Sequence, residues 1–360
     1  MREAGFFVRR DAVGNVFGRV EGSRGGRVVM TGSHLDTVRA GGALDGALGI
    51  VAAIEALEAV VRERGRPQRI VEAVAIADHE GGRFGRPGLG PRAMAGRLDA
   101  DELGSRDQDG VRLDDALQSA GLDPATLAGC ERLDLDVFLE LHVEQGARLE
   151  DAGARLGVVT GAAGVALFEI TVSGSADDAS TPLDRRRDAL LGAAEVALAI
   201  DAIAARAGSL ATVGELAVEP RQSSVVSSRV RLLVDLRESR ADVRSSVIAE
   251  IRTACARIAH ERGLTHDIRT IRDAAPRALD APLARALRLA CERAGASALD
   301  LASVGSHPAT VLAAVARTGL VLVPSIGGRS HRPDEATAAA DVLLGARALG
   351  CALEDALYPG

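Results

Sequence analysis

Apolar residues fall into two kinds of run along this chain. Val28-Val29-Met30 leads without a polar break into Gly32-Ser33-His34, and Ile70 to Ile76 leads likewise into Asp78-His79-Glu80. Short unbroken runs that end in polar loops predict strands buried on both faces. Between them, Leu48, Val51, Ile54, Leu57, Val60 and Val61 recur at helical spacing and predict a helix over 47–64, which completes a strand-helix-strand unit of an α/β fold. From Val165 the pattern changes: Ala166, Phe168, Ile170 and Val172 alternate with Leu167, Glu169 and Thr171, as in a strand buried on one face. A helix over 185–207, strands over 210–218 and 226–236, a helix over 241–263 and a strand over 264–270 follow. That β-α-β-β-α-β order is ferredoxin-like. Helix then resumes at 282–295, with an apolar strand at 319–323 and a glycine loop at Ser325-Ile326-Gly327-Gly328. The expectation is a discontinuous catalytic domain, 1–162 with 275–360, interrupted by a smaller domain over 163–274.

Length and composition fit that division, since 360 residues exceed one core's usual size and a 47% hydrophobic content can fill two. A formal charge of -7 argues against a nucleic-acid partner. No apolar run of about 18 residues and no basic-then-apolar leader occur, so no membrane partner and a cytoplasmic location are expected. Cys130, Cys255, Cys291 and Cys351 are far apart and read as reduced thiols. Every basic residue other than histidine is arginine, which excludes Schiff-base and P-loop lysine chemistry.

Candidate chemistry sits where the runs end. Gly32-Ser33-His34-Leu35-Asp36-Thr37, followed by Gly41-Gly42-Ala43-Leu44-Asp45-Gly46, puts an imidazole and carboxylates in one loop region. Asp36 is spaced to hold the His34 ring nitrogen that faces away from a metal. Asp78-His79-Glu80-Gly81-Gly82-Arg83-Phe84-Gly85, Leu139-Glu140-Leu141-His142-Val143-Glu144-Gln145-Gly146 and Gly327-Gly328-Arg329-Ser330-His331 follow in order. Together these segments resemble the M20 metallopeptidase-like amidohydrolases, in the branch of N-carbamoyl-L-amino-acid hydrolases, allantoate amidohydrolases and β-ureidopropionases. The resemblance covers nearly the whole chain, and Ala12-Val13-Gly14-Asn15 and Leu156 to Gly161 share it.

The resemblance implies that Asp45 bridges two divalent ions, with His34 and His142 completing one site and Glu80 and His331 the other. Imidazole and carboxylate donors suit Zn²⁺ first, with Mn²⁺, Co²⁺ or Ni²⁺ as alternatives. It also implies substrate contacts at Arg237, Ser224, Gln145 and His307, and a homodimer formed through the inserted domain, which acts as a lid. The implied reaction is hydrolysis of a linear C–N bond in a small carboxylate-bearing molecule, an N-carbamoyl amino acid or ureido acid.

Departures from the family pattern fall within the same chemistry. His79 stands where the family has its general-base glutamate, leaving three readings: base, metal ligand or relic. Asp178, in Gly174 to Pro182, takes the place of a histidine that reaches the partner protomer's site, Ser224 that of an asparagine, and Pro308 that of an aspartate. Acid and base roles exchanged between His79 and Asp178 would leave the summed charge unchanged. The competing expectations are a catalytically silent or repurposed relative and a non-hydrolytic biosynthetic enzyme. The chain begins within the strand region that follows an N-terminal helical segment in the resembled family, which points to a truncated gene model or a shortened domain.

Overall fold

The computed structural model describes residues 1–359. The chain divides into two compact units, one formed by Met1–Gly161 with the segment from Ala278 onward, the other by Ala162–Arg277. In the first, β1 (Phe7–Arg10), β2 (Val16–Val20), β3 (Val28–His34), β4 (Val71–Ile76), β5 (Leu135–Val143) and β6 (Leu156–Ala162) join the strand Arg317–Val323 in one sheet. Its path runs β1-β2-β4-β3-β5, then Arg317–Val323, then β6. β3 is parallel to both β4 and β5, and Arg317–Val323 is parallel to β5, whereas the hairpin of β1 and β2 is antiparallel to its neighbours.

Successive side chains of a strand point to opposite faces, and here each face has its own core. Val29, Val137, Leu139, Leu141, Val321 and Val323 pack among the helices Ala47–Arg64, Ala281–Ala294 and Ala339–Leu357. Val28, Met30, Phe138, Leu320 and Leu322 enter a second cluster with Phe17, Val74, Ile76 and Leu312. Burial on both faces explains why β3 reads as an unbroken run, since all seven of its residues are buried. The helix Ala47–Arg64 lies close against this sheet because Gly49 has no side chain; a Cβ there would meet the Leu141 carbonyl oxygen at 2.3 Å.

The second unit holds β7 (Gly164–Ser173), β8 (Leu210–Glu219), β9 (Arg229–Glu238) and β10 (Thr265–Ala274), with the helix Ala189–Ala207 between β7 and β8 and the helix Ala241–Glu261 between β9 and β10. The sheet order is β10-β7-β9-β8, all neighbours antiparallel. β7 alternates strictly between buried and half-buried positions, placing Ala166, Phe168, Ile170 and Val172 with Val230, Leu232, Val234 and Leu236 under the two helices. The first helix starts four residues later than its apolar spacing suggests. Asp188 caps it by accepting from the amides of Leu190 and Leu191, and a short 3₁₀ turn at Leu183–Arg185 precedes it.

Candidate metal centre

In a parallel sheet the carboxyl ends of the strands open into loops that gather side chains from distant parts of the sequence. His34 ends β3, His79 and Glu80 follow β4, His142 lies near the end of β5, and His331 follows the strand Arg317–Val323. Asp45 precedes the helix Ala47–Arg64 through Gly46, whose φ of 68° and contact with His34 exclude a side chain; a Cβ there would sit 2.5 Å from the His34 Nδ1.

The two oxygens of Asp45 face different partners. Oδ1 lies 3.7 Å from His34 Nε2 and 3.5 Å from His142 Nε2. Oδ2 lies 3.5 Å from His331 Nε2, which is in turn 3.6 Å from Glu80 Oε1. Of the four donor groups of metal-binding dimensions among the described residues, two contain Asp45, His34-Asp45-His142 and Asp45-Glu80-His331. Asp45 and the His34 and His142 rings are buried, while His331 is half exposed.

The tautomers explain why a cation suits this arrangement. His34 Nδ1–H donates to the Asp36 carbonyl at 2.6 Å, and His142 Nδ1–H donates to the Val143 carbonyl at 2.9 Å. Each Nε2 therefore carries a lone pair, and the Gly46 amide, donating to His142 Nε2 at 3.1 Å, agrees with that assignment. The two Nε2 atoms are 3.2 Å apart, a repulsive contact between neutral rings unless a positive charge lies against both. Burial, then the neighbouring His34, depress His142 to about 3, so the ring is a neutral donor. Around Glu80, burial acts to raise the pKa, but the hydrogen bond with His331 leads the effects that outweigh it and lower the carboxyl. His331 is raised, chiefly by Glu80. The donor set of imidazoles and carboxylates fits divalent zinc or manganese.

His79 is fully buried and stacks on His34 with ring centroids 4.8 Å apart. Its Nε2–H donates to the Ser306 carbonyl at 3.0 Å, and its Nδ1 has no hydrogen-bond partner among the described residues. Burial, then His34, lower its pKa to about 4, so the imidazole is neutral at physiological pH. Its ring also comes within metal-ligand distance of His34 and Glu80. His307, buried with neither ring nitrogen hydrogen-bonded among the described residues, packs edge-on against His142 at 4.6 Å. Gln145 Nε2 reaches Asp45 Oδ1 at 3.2 Å and His331 Nε2 at 3.1 Å.

Asp36 does not do what its spacing from His34 suggests. Its backbone carbonyl, not its carboxylate, holds the ring; the nearer carboxylate oxygen is 4.0 Å from His34 Nδ1. A side chain two residues after the histidine points on past the ring, and the carboxylate instead accepts the amides of His79 and Glu80 at 2.9 and 2.8 Å. It thereby fixes the loop after β4 to the loop after β3. The other expected residues belong to the second unit. Asp178 is exposed and accepts from the Ser180 amide, the Ser224 carbonyl accepts from the Ala179 amide, and Arg237 in β9 pairs with Asp235 at 2.9 Å.

Supporting groups that motif reading passed over lie close by. Thr37 Oγ1 donates to Asp45 Oδ2 at 2.8 Å. Glu140 is buried in β5, accepting from Ser33 Oγ at 2.6 Å and the Ala309 amide at 2.9 Å; a carboxylate inside the apolar run Phe138-Leu139-Glu140-Leu141 was the available signal. Three of the four non-glycine residues with positive φ among the described residues, Asp78, Gln145 and His331, also stand here, as strained backbone tends to at functional sites.

Comparison with known proteins identifies the family. The model of peptidase family M20/M25/M40 matches residues 30–355. An N-carbamoyl-L-amino acid amidohydrolase of Geobacillus stearothermophilus is 38% identical over 354 residues, 97% of this chain and 87% of that protein. The allantoate amidohydrolase of Bacillus subtilis is 33% identical, covering 97% of this chain and 86% of its own length. The crystal structure of a hydantoinase/carbamoylase family amidase from Burkholderia vietnamiensis superposes with a TM-score of 0.86 at 34% identity, covering 100% of this chain and 88% of that one. The donor constellation, the family match over most of the sequence and the full-length relatives lead to one conclusion: the chain belongs to peptidase family M20/M25/M40.

Proposed function

We propose that this protein is a metal-dependent amidohydrolase that cleaves a linear C–N bond in a small carboxylate-bearing substrate of the N-carbamoyl amino acid or ureido acid class. The observation that carries the reading is the division of Asp45, with one oxygen toward His34 and His142 and the other toward His331. The names of the full-length relatives support the reaction class. His34, Asp45 and His142 would hold one divalent ion and Asp45, Glu80 and His331 the other. Bound there, zinc or manganese supplies Lewis-acid polarisation of a carbonyl and acidifies water.

Within that frame the chain's own groups have distinct tasks. His79 is kept neutral by burial and keeps its proton on Nε2 through Ser306, so Nδ1 is the nitrogen that can take a proton where the resembled family uses a glutamate. Gln145 orients the substrate from its place between Asp45 and His331, and the His307 ring beside His142 is the further substrate-side group. A planar guanidinium suits a carboxylate, so Arg237 is assigned the substrate's α-carboxylate, with Ser224 and Asp178 as the other contributions of the second unit. That unit, ferredoxin-like in its strand order, is assigned the dimerisation and lid role that the resemblance implies.

The test is release of the free amino acid from an N-carbamoyl amino acid by purified protein, before and after chelation. Hydrolysis that disappears with chelation, returns with zinc or manganese and is abolished by Glu80→Ala supports the reading. In His79→Gln, which has no basic nitrogen, turnover falls by about 10²–10⁴ if Nδ1 is the base; unchanged turnover contradicts that role. A protein that binds metal but hydrolyses no carbamoyl, ureido or allantoate-type substrate is instead the silent relative.

A further inference from the structure

Glu335 lies four residues beyond His331 and its side chain is buried. One carboxylate oxygen, Oε1, accepts the Asp45 amide at 2.9 Å and the Leu44 amide at 3.3 Å; the other, Oε2, accepts Ser330 Oγ at 2.6 Å. A single side chain thus spans 290 positions of sequence, tying the loop that carries the shared carboxylate to the loop that carries His331. The fit around it is close. A Cβ on Gly42 would come within 2.3 Å of Glu335 Oε1, so the glycine in Gly41-Gly42-Ala43 makes room for this carboxylate.

Both loops need such a tether. Asp45 must direct its two oxygens to different groups, and its backbone is fixed by no strand at that point. His331 has a left-handed φ of 57° and a half-exposed side chain, so little packing holds it. Glu80, the third member of the same donor group, is fixed separately through the Asp36 carboxylate. Of the two loops Glu335 joins, only the one that presents Asp45 is shared with the His34–His142 side.

We propose that Glu335 is a positioning residue that sets Asp45 against His331 and so governs how tightly the Asp45-Glu80-His331 site holds its ion, an assignment that rests on the metal reading above. A supporting partner of a metal ligand is worth about 10–100-fold in affinity. The loss falls on the ion served by His331, while the ion between His34 and His142 stays closer to its original affinity.

The experiment titrates metal-free full-length protein with Zn²⁺ against a chromophoric chelator, for the wild type, Glu335→Ala and Glu335→Gln, with thermal unfolding of each metal-free protein alongside. Glu335→Ala should weaken one ion by about 10–100-fold with little change in metal-free unfolding. Glu335→Gln should recover most of that loss, because its amide oxygen still accepts the Asp45 amide and its NH₂ can donate to Ser330 Oγ. Should Glu335→Ala not fold, Ser330→Ala removes the Oε2 contact alone and should weaken the same ion by less. Wild-type affinity for both ions in the variants, equal weakening of both, or no recovery with Gln overturns the assignment. A wild type that holds no ion overturns the metal reading and this assignment with it.

Discussion

The sheets of the two units bury their side chains by different rules. In β7 every second residue is buried, and the helices Ala189–Ala207 and Ala241–Glu261 cover one face of its sheet. In β3 every residue is buried, because consecutive side chains enter separate cores on opposite faces. The one-sided sheet can change a side chain on its open face at little cost. The two-sided sheet buries its mid-strand positions on both faces, and its candidate donors His34 and His142 stand at the strand ends, held by the Asp36 and Val143 carbonyls. Rigid strands ending in converging loops give the precision that a metal centre needs.

Three perturbations separate the regions, in decreasing order of expected effect. His142→Ala removes a donor and opens a hole at the end of β5; metal affinity should fall by more than the roughly 100-fold of a supporting partner, read by chelator competition, while the second unit's core is untouched. Retained affinity would show that the ring is only packed there. Leu232→Ala, in the centre of the one-sided core, should cost about 2–5 kcal/mol in denaturant unfolding while leaving metal content at the wild-type value. Loss of metal in that variant would mean that the second unit's core controls the centre.

The third effect, gradual and smallest per pH unit, is a pH dependence. Burial pushes Glu140 up to about 8 against the hydrogen bonds from Ser33 and Ala309 that act to lower it. Between its ordinary value of 4.5 and about 8 the folded metal-free protein holds a proton that the unfolded chain has released. This group's contribution to stability is therefore full below 4.5 and declines as pH rises through that window, by at most about 1.4 kcal/mol per pH unit. Glu140→Gln cannot ionise, so urea midpoints of metal-free protein should show the variant gaining on the wild type between about pH 5 and about pH 8. A constant difference across that range would show that Glu140 is ionised throughout.

How much the sequence disclosed follows from the range of each interaction. The helix Ala47–Arg64 was legible to the residue because its apolar spacing is local and glycines flank it at Gly46 and Gly65. β9 begins at Arg229, three positions after the apolar run suggests, since the run counts Val226, which is buried outside the strand. The five donor residues could be picked out through the motifs that carry the family resemblance, and the structure gathers those five. Which atom of Asp36 holds His34 depends on side-chain direction, which spacing does not encode. Glu335 was hidden for a different reason: its partners are a backbone amide 290 positions away and a nearby hydroxyl, and neither leaves a periodic or motif signal.

The reading of the centre depends on Asp45 being shared between two ion sites. Metal content per chain, measured by mass spectrometry after zinc loading and dialysis for the wild type and for Asp45→Ala, tests it most directly. A shared Asp45 gives about two ions for the wild type and loss of both in the variant, since each donor group would fall to two residues. Two ions retained without Asp45, or none in the wild type, would contradict it.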